Sequence, residues 1–237
     1  MSAHFIYLTG EVPYEVGHTL QQQLLALRIA GEIDDVVLLL EHASTITVGR
    51  SRGAETNVLD AGDVPVVQVA RGGDVTWHGP GQLVAYPIVH LQGIRADLHL
   101  HLRSLEQSVI ELLGEYGLDG IRDERNSGVW LPEAHGGAPR KVCSVGIACR
   151  KWVTWHGLAL NVTPQLGSFA QINPCGFDAS IMTRMADHLD HCPSVEELVP
   201  TLGWQLARAL DLPPSEVHYT EDASVEAVRQ VIDSHGH

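Results

Sequence analysis

Lysine is nearly missing from this chain. Of its 15 basic residues only Lys141 and Lys151 are lysines, and the rest are arginines. Acidic residues number 29, so the formal net charge is -14 at pH 7. A nucleic-acid partner is not expected, because a phosphate backbone demands a basic footprint. Cysteine is sparse too: Cys143, Cys149, Cys175 and Cys192. None forms a C-x-x-C pair, and 237 residues need no covalent staples, so a disulfide framework is not expected. His188, His191 and Cys192 lie close together, but their spacing fits no zinc pattern. No apolar run is long enough to span a bilayer. The first ten residues have neither a charged start nor an apolar stretch of the secretory kind. Cytoplasmic residence, with no membrane contact, is the expectation. Neither G-x-G-x-x-G nor a phosphate-binding P-loop occurs, so nucleotide binding by those devices is unsupported.

What is present suits one domain over residues 1–237, with 211–237 as a C-terminal extension. Residues 14–30 read as a helix with Val16, Leu20, Leu24 and Leu27 on one face and Gly31 as its stop. Asp97 caps a second helix to about Tyr116, with Leu98, Leu102, Leu105, Val109 and Leu112 inward. Ser194 and Glu197 form a capping-box signature ahead of Leu198, Leu202 and Leu206. Val225, Val228 and Ile232 suggest a last short helix before a fraying tail from residue 234. Strands are predicted at 36–40, 45–48, 64–69, 83–88, 128–131, 141–149 and 152–162. Many strands with interspersed helices imply a mixed α/β or α+β fold.

The candidate chemistry gathers in a few segments. Arg71-Gly-Gly-Asp-Val-Thr-Trp-His-Gly-Pro-Gly-Gln82 lies between two strand-like runs and reads as a long loop. Its glycines allow close approach of backbone to a ligand, and long loops often carry function. Cys175 stands in Asn173-Pro-Cys-Gly176, where a thiol is accessible and neighbouring amides could hold an oxyanion. Cys143 alternates within an apolar strand and reads as core. A thiol needs a partner that favours its thiolate, and Lys141, His78 and His156 are all candidates. Spacing does not choose among them.

Together with Lys141-Val-Cys-Ser-Val-Gly146, His156-Gly-Leu-Ala-Leu-Asn161, Ile172-Asn-Pro-Cys-Gly176, Glu41-His42 and Gly49-Arg50, the glycine-rich stretch resembles the lipoyl(octanoyl) transferases. These belong to the biotin/lipoate protein ligase superfamily. The resemblance spans roughly residues 5 to 210 and rests on ordered motifs. It implies an α+β fold with a mixed, largely antiparallel sheet flanked by helices. It also implies Cys175 as the acylated nucleophile and Lys141 as the residue that lowers its pKa. Acyl-chain contacts are implied at Arg71, Gly72, Gly73, Asp74, Val75, Thr76, Trp77 and His78. Ser144, Val145 and Gly146 are implied as further contacts, as are Gly157, Leu158 and Ala159. Three residues depart from the pattern: Cys143 for alanine, Trp77 for tyrosine or phenylalanine, and Arg184 for serine.

The reaction so implied needs no cofactor, metal or ATP. Octanoyl-acyl carrier protein is the donor. The acceptor is a lysine on a lipoyl domain of a 2-oxoacid dehydrogenase complex or on the glycine cleavage H protein. Amides near Gly176 or in the Gly72-Gly73 turn are candidate oxyanion donors, and Trp77, Val145 and Leu158 candidate tunnel walls. Docking of acidic partners would fall to Arg50, Arg52, Arg140 and Arg150. The rival readings are an ATP-dependent lipoate or biotin ligase, a cysteine hydrolase, and a non-catalytic lipoyl-handling module.

Overall fold

A computed structural model of the chain describes residues 2–93, 96–124, 126–133 and 136–235, and only the backbone of Cys175 and His235. The tail beyond 235 lies outside the described residues. In chain order the elements are β1 (Ala3–Val12), α1 (Tyr14–Ala30), β2 (Asp35–His42), β3 (Thr45–Val48), β4 (Val66–Gln68) and β5 (Val75–His78). Then come β6 (Gln82–Ile88), α2 (Leu98–Glu115), β7 (Ile121–Asp123), β8 (Asn126–Leu131), β9 (Arg140–Arg150) and β10 (Val153–Asn161). The last are α3 (Val195–Ala209), β11 (Val217–Thr220) and α4 (Val225–His235).

The larger sheet has the strand order β11-β1-β2-β6-β10-β9-β8-β7, and a smaller one has β4-β3-β5. In the larger sheet β1 pairs in parallel with β11 and β2, and every other pairing is antiparallel. The sheet is therefore mixed and largely antiparallel. Helices cover both faces. On one, Val37 and Leu39 of β2 pack with Leu105 and Val109 of α2 and Leu198 and Leu202 of α3. On the other, Val36, Leu38 and Leu40 pack with Leu20 and Leu24 of α1 and Val228 of α4. A strand buried on both sides needs apolar residues at every position, which is why β2 shows no alternation.

The helix boundaries follow local chemistry. Asp97 accepts from the His99 and Leu100 amides, and Ser194 and Glu197 complete a reciprocal capping box. Two face assignments differ from expectation. Val16 is 43% and Leu98 38% exposed. In α1 the inward stripe is instead Gly17, Leu20, Gln21, Leu24 and Leu25, because Gly17 packs against the His42 ring. Leu98 lies at the first position of its helix, outside the stripe that Leu105, Val109 and Leu112 present to the sheet. Residues 211–235 are part of the fold's frame: β11 extends the sheet and α4 joins the α1 layer.

One close approach is dictated by glycine. A side chain on Gly157 would stand 2.1 Å from the Ala85 carbonyl oxygen and 2.9 Å from Pro87 Cδ. Gly157→Ala is therefore expected to separate β10 from β6 and destabilise the chain by about 3 kcal/mol or more, the scale of severe overpacking. Gly167→Ala, which meets nothing within 4 Å, serves as the control. Thermal melts of the pair check this; equal melting temperatures would refute it.

Candidate active site

The stretch 71–82 is not simply a loop. Its middle forms β5, which pairs with β3 in the smaller sheet. The strand forms because Val75 and Trp77 find an apolar seat against Ile46, Phe169 and Met182, a long-range contact that its glycine-rich flanks conceal. Arg71 holds the turn that leads into it. Its guanidinium donates to the carbonyls of Asp74 (2.7 Å) and Thr47 (3.0 Å) and to the Thr47 hydroxyl (3.0 Å). Asp74 accepts from Asn57 and from the Val75 amide, both at 2.7 Å. Gly146 lets this turn lie on β9: a Cβ there would sit 3.1 Å from both Arg71 Cδ and the Gly72 oxygen. At the far end of the stretch, the Gly81 amide donates to Glu41 at 2.7 Å.

A cleft opens between the turn and β5 on one side and β9 and β10 on the other. Arg71, Gly72, Gly73, Asp74, Val75, Thr76 and His78 line it, as do Ser144, Val145, Gly146, Gly157, Leu158, Ala159 and Lys141. Among the expected contacts Trp77 is the exception. Its indole is seated in the smaller core with Ile46, Phe169 and Met182. There it meets Phe169 edge-on and donates its indole N–H to Ser44 at 2.9 Å. It is not a wall of this cleft. Val145 and Leu158 are.

Lys141 is 4% exposed. Its Nζ donates to Asn126 Oδ1 at 2.7 Å and stands 5.0 Å from the Trp130 ring centre. The β8 end that presents Asn126 is itself anchored. Glu106, fully buried on α2, accepts from the Gly128 amide at 2.8 Å and from Arg122 at 3.0 Å. The segment carrying Cys175 is tied down at both ends. Asn173 donates its amide to Asn57, while Thr183 donates to the Lys141 carbonyl and Met182 bridges Lys141 in parallel. Cys175 lies in a short 3-10 turn, Pro174–Gly176. Its side chain lies outside the description, but Pro174, Phe177, Ile181 and Met182 line the same cleft as Lys141. Arg184 turns away to Asp187 and the Pro164 carbonyl.

The described thiols are poor nucleophiles. Burial pushes Cys143 up to about 12, and also raises Cys149 and Cys192. Two suggested oxyanion donors are already engaged. The Gly72 amide donates to Ile147 and the Gly176 amide to Asn173. Backbone amides that fold into a packed turn take the nearest carbonyl, so these two are not free for a ligand.

The opposite end of the cleft is polar and aromatic in a way the sequence did not suggest. Tyr14, Tyr86, His78 and His156 line it. Tyr86 meets His42 Nε2 at 2.8 Å, and His42 Nδ1 meets the Val12 carbonyl at 2.9 Å. A carbonyl only accepts, so His42 carries its proton on Nδ1 and the tyrosine donates. Gln82 donates its amide to the Trp77 carbonyl and to Asn161, leaving its oxygen to accept from His78 Nδ1 at 3.2 Å. Burial, then the neighbouring His42 and Arg71, hold His78 well below the ordinary histidine value. Burial, then His18 and Arg71, bring His156 down to about 3. Burial raises Tyr14 to about 12. All are neutral near pH 7.

Among the docking candidates Arg50, Arg52 and Arg150 are exposed, whereas Arg140 pairs with Glu133. Arg50 donates its amide to the Arg71 carbonyl, beside the cleft turn. Among the described residues no cluster could hold a metal ion, and no helix is long and apolar enough to cross a membrane.

Comparison with known proteins agrees with this geometry. The chain is 44% identical over 203 residues to an octanoyltransferase of Gloeobacter violaceus, covering 84% of this chain and 86% of that one. It is 41% identical over 215 residues to an octanoyltransferase of Chloroflexus aggregans, covering 88% and 96%. In fold it is similar to a bipartite lipoate protein ligase from Thermoplasma acidophilum, with a TM-score of 0.69 at 17% identity, covering 98% of this chain and 93% of that one. Residues 13–207 match the model of the lipoyl protein ligase A/B catalytic domain. With most of its length matched, and with the cleft lined by the motifs from which the resemblance was read, the chain belongs to the lipoyl protein ligase A/B catalytic domain family.

Proposed function

We propose that this chain is an octanoyltransferase that works through an acyl-enzyme on Cys175. The Cys175 thiolate attacks the thioester of octanoyl-acyl carrier protein. The carrier thiol leaves, and octanoyl-Cys175 remains. A lysine amine of a lipoyl domain then attacks, the amide forms and the thiol is regenerated. The first step exchanges one thioester for another, and the second makes a more stable amide, so no nucleotide is required. Lys141 has two roles. As ammonium it favours the thiolate, and as a desolvated amine it takes the proton of the incoming lysine.

The observation that carries this reading is the pairing of Lys141 with the Cys175 segment. Lys141 is buried at the cleft, bridged to Met182, with Pro174 and Phe177 lining the same space. The alternative partners are less suited. His78 and His156 are weak bases, and His156 lies across from Ile147, six residues along β9 from Lys141. The names of the relatives support octanoyl as the acyl group.

Intact-mass spectrometry tests this reading. Mixing the chain with octanoyl-acyl carrier protein is expected to add one octanoyl group at Cys175, without ATP. Adding a lipoyl domain should then remove it. Rapid loss of the adduct to water would point to a hydrolase, and ATP-dependent octanoylation that survives Cys175→Ser to a ligase.

A further inference from the structure

We infer that Asn126 is a positioning residue for the transfer step: its side-chain oxygen holds Lys141 Nζ at the cleft through an uncharged acceptor, which leaves the lysine able to work both with and without its proton. The inference rests on the octanoyl-transfer reading and deepens it. Three observations carry it. The first is the contact itself. Lys141 Nζ donates to Asn126 Oδ1 at 2.7 Å, and both residues line the cleft. A lysine ammonium only donates, so it is the amide oxygen that faces it. The second is how the contact is built. β8 and β9 pair with a register shift between Val129 and Trp130, and Lys141 lies opposite Trp130 rather than Asn126. The lysine stem passes close to Gly128, where a Cβ would stand 3.3 Å from Lys141 Cε. The indole N–H of Trp130 donates to the Asn126 carbonyl at 3.2 Å, while its ring centre stands 5.0 Å from Nζ. Asn126 is thus held by the same ring that flanks the lysine.

The third is the charge around them. Among the described residues Cys143 of β9, Glu106 and Arg103 of α2 and Arg122 of β7 stand about this cluster, with Arg71 and Asp74 across the cleft. Cys175 lies on the short turn that lines the same space. Glu106 is fully buried; it gives one oxygen to the Gly128 amide and the other to Arg103 and Arg122. That carboxylate anchors the β8 backbone, and the contact from β8 to Nζ is made by an amide. The distinction matters for the chemistry. In transfer a C–N bond forms between the acceptor amine and the octanoyl carbonyl, the C–S bond to Cys175 breaks, and the amine's proton ends on Nζ beside the departing thiolate. The lysine enters that step neutral and leaves it charged. An amide oxygen accepts an N–H from either form, so Nζ keeps its place across the step. A carboxylate at the same distance favours the ammonium by opposite charge and would hold the lysine in the form that takes no proton.

The test follows single-turnover transfer. Octanoyl-Cys175 is formed from octanoyl-acyl carrier protein, separated from the donor, and mixed with a lipoyl domain from neutral pH to about pH 10, near the ordinary lysine value. Asn126→Asp, equal in size, should still take up octanoyl. It should then transfer about tenfold or more slower than the unaltered chain at neutral pH, with the deficit closing as pH rises. The acceptor's own titration is common to both proteins and cancels in their ratio. Asn126→Ala adds no charge. It should slow transfer by about tenfold at every pH, with the lipoyl-domain concentration for half-maximal rate unchanged. A purely structural role would give both variants the same deficit at every pH. Should thermal melts show that Asn126→Asp does not fold, Asn126→Ala decides alone. Transfer by Asn126→Ala within about twofold of the unaltered chain, or an Asn126→Asp deficit that does not change with pH, would overturn the inference. An unaltered chain that takes up no octanoyl at Cys175 would overturn the octanoyl reading itself, and this inference with it.

Discussion

Lys141→Met is expected to lower octanoyl transfer by roughly 10³-fold or more, because one substitution removes both the charge that favours the thiolate and the base that takes the acceptor's proton. Methionine is close in length and apolar, and the site is already buried against Trp130, so the fold should persist. Asn126 loses its Nζ donor, a modest cost at a partly buried position. Lys141→Arg separates the two roles. Arginine keeps the charge but does not give up a proton. That variant should still accept octanoyl on Cys175, then stall with the adduct accumulated when a lipoyl domain is added. Residues that act as a unit lose little more on double substitution than on single. Lys141→Met combined with Cys175→Ser should therefore be no slower than the worse single variant. Single-turnover kinetics with intact-mass detection read all of these. Lys141→Met with more than about a tenth of normal kcat/KM would remove the lysine from the mechanism.

Acid should destabilise this protein steeply, well above the range where carboxylates titrate. His42 and His101 are held at about 4, His156 at about 3 and His78 well below its ordinary value, in each case first by burial. In the unfolded chain each returns to about 6.5. Above that pH both states are neutral and the folded state keeps its full stability. As pH falls below 6.5 the unfolded chain binds protons that the folded chain does not. Stability is then lost progressively, until pH reaches the folded values near 4 and 3. By linkage, His42, His101 and His156 each cost about 2 kcal/mol by pH 5, and His78 acts in the same direction. Together they reach into the range of the whole stability of an ordinary domain, ~5–15 kcal/mol. Denaturant unfolding at pH 7, 6 and 5 is expected to show this fall, with proton uptake on unfolding of about three to four. His101→Phe should lower that uptake by about one proton. Neither ring nitrogen of His101 has a partner among the described residues, and its nearest surroundings lie away from the cleft. Stability that stays level from pH 7 to pH 5 would show that these rings titrate normally.

Helices were legible where their signals are local. Residues 14–30, the Asp97 cap and the Ser194 capping box are all written within a few residues of where they act. Strands were less so. β1 was not anticipated, since Ala3–Val12 mixes apolar and polar residues and becomes a strand by pairing with β2 and β11. β11 is short and half-buried, and nothing within it signals that β1 will take it as an edge. β5 is hidden by the glycines around it. The place of Trp77 is hidden for a related reason: its motif neighbours line the cleft, while its indole packs on Phe169 in the smaller core.

By itself the sequence determined the helix limits, the apolar central strands and the motifs that carry the family, because caps, period and motif are short-range properties. Only the tertiary structure decided that Lys141 lies against the segment of Cys175, that Trp77 leaves the cleft, and that buried histidines and tyrosines close its far end. Those outcomes depend on register and on which face of each strand is covered. Both are set by burial against chain that lies tens of residues away.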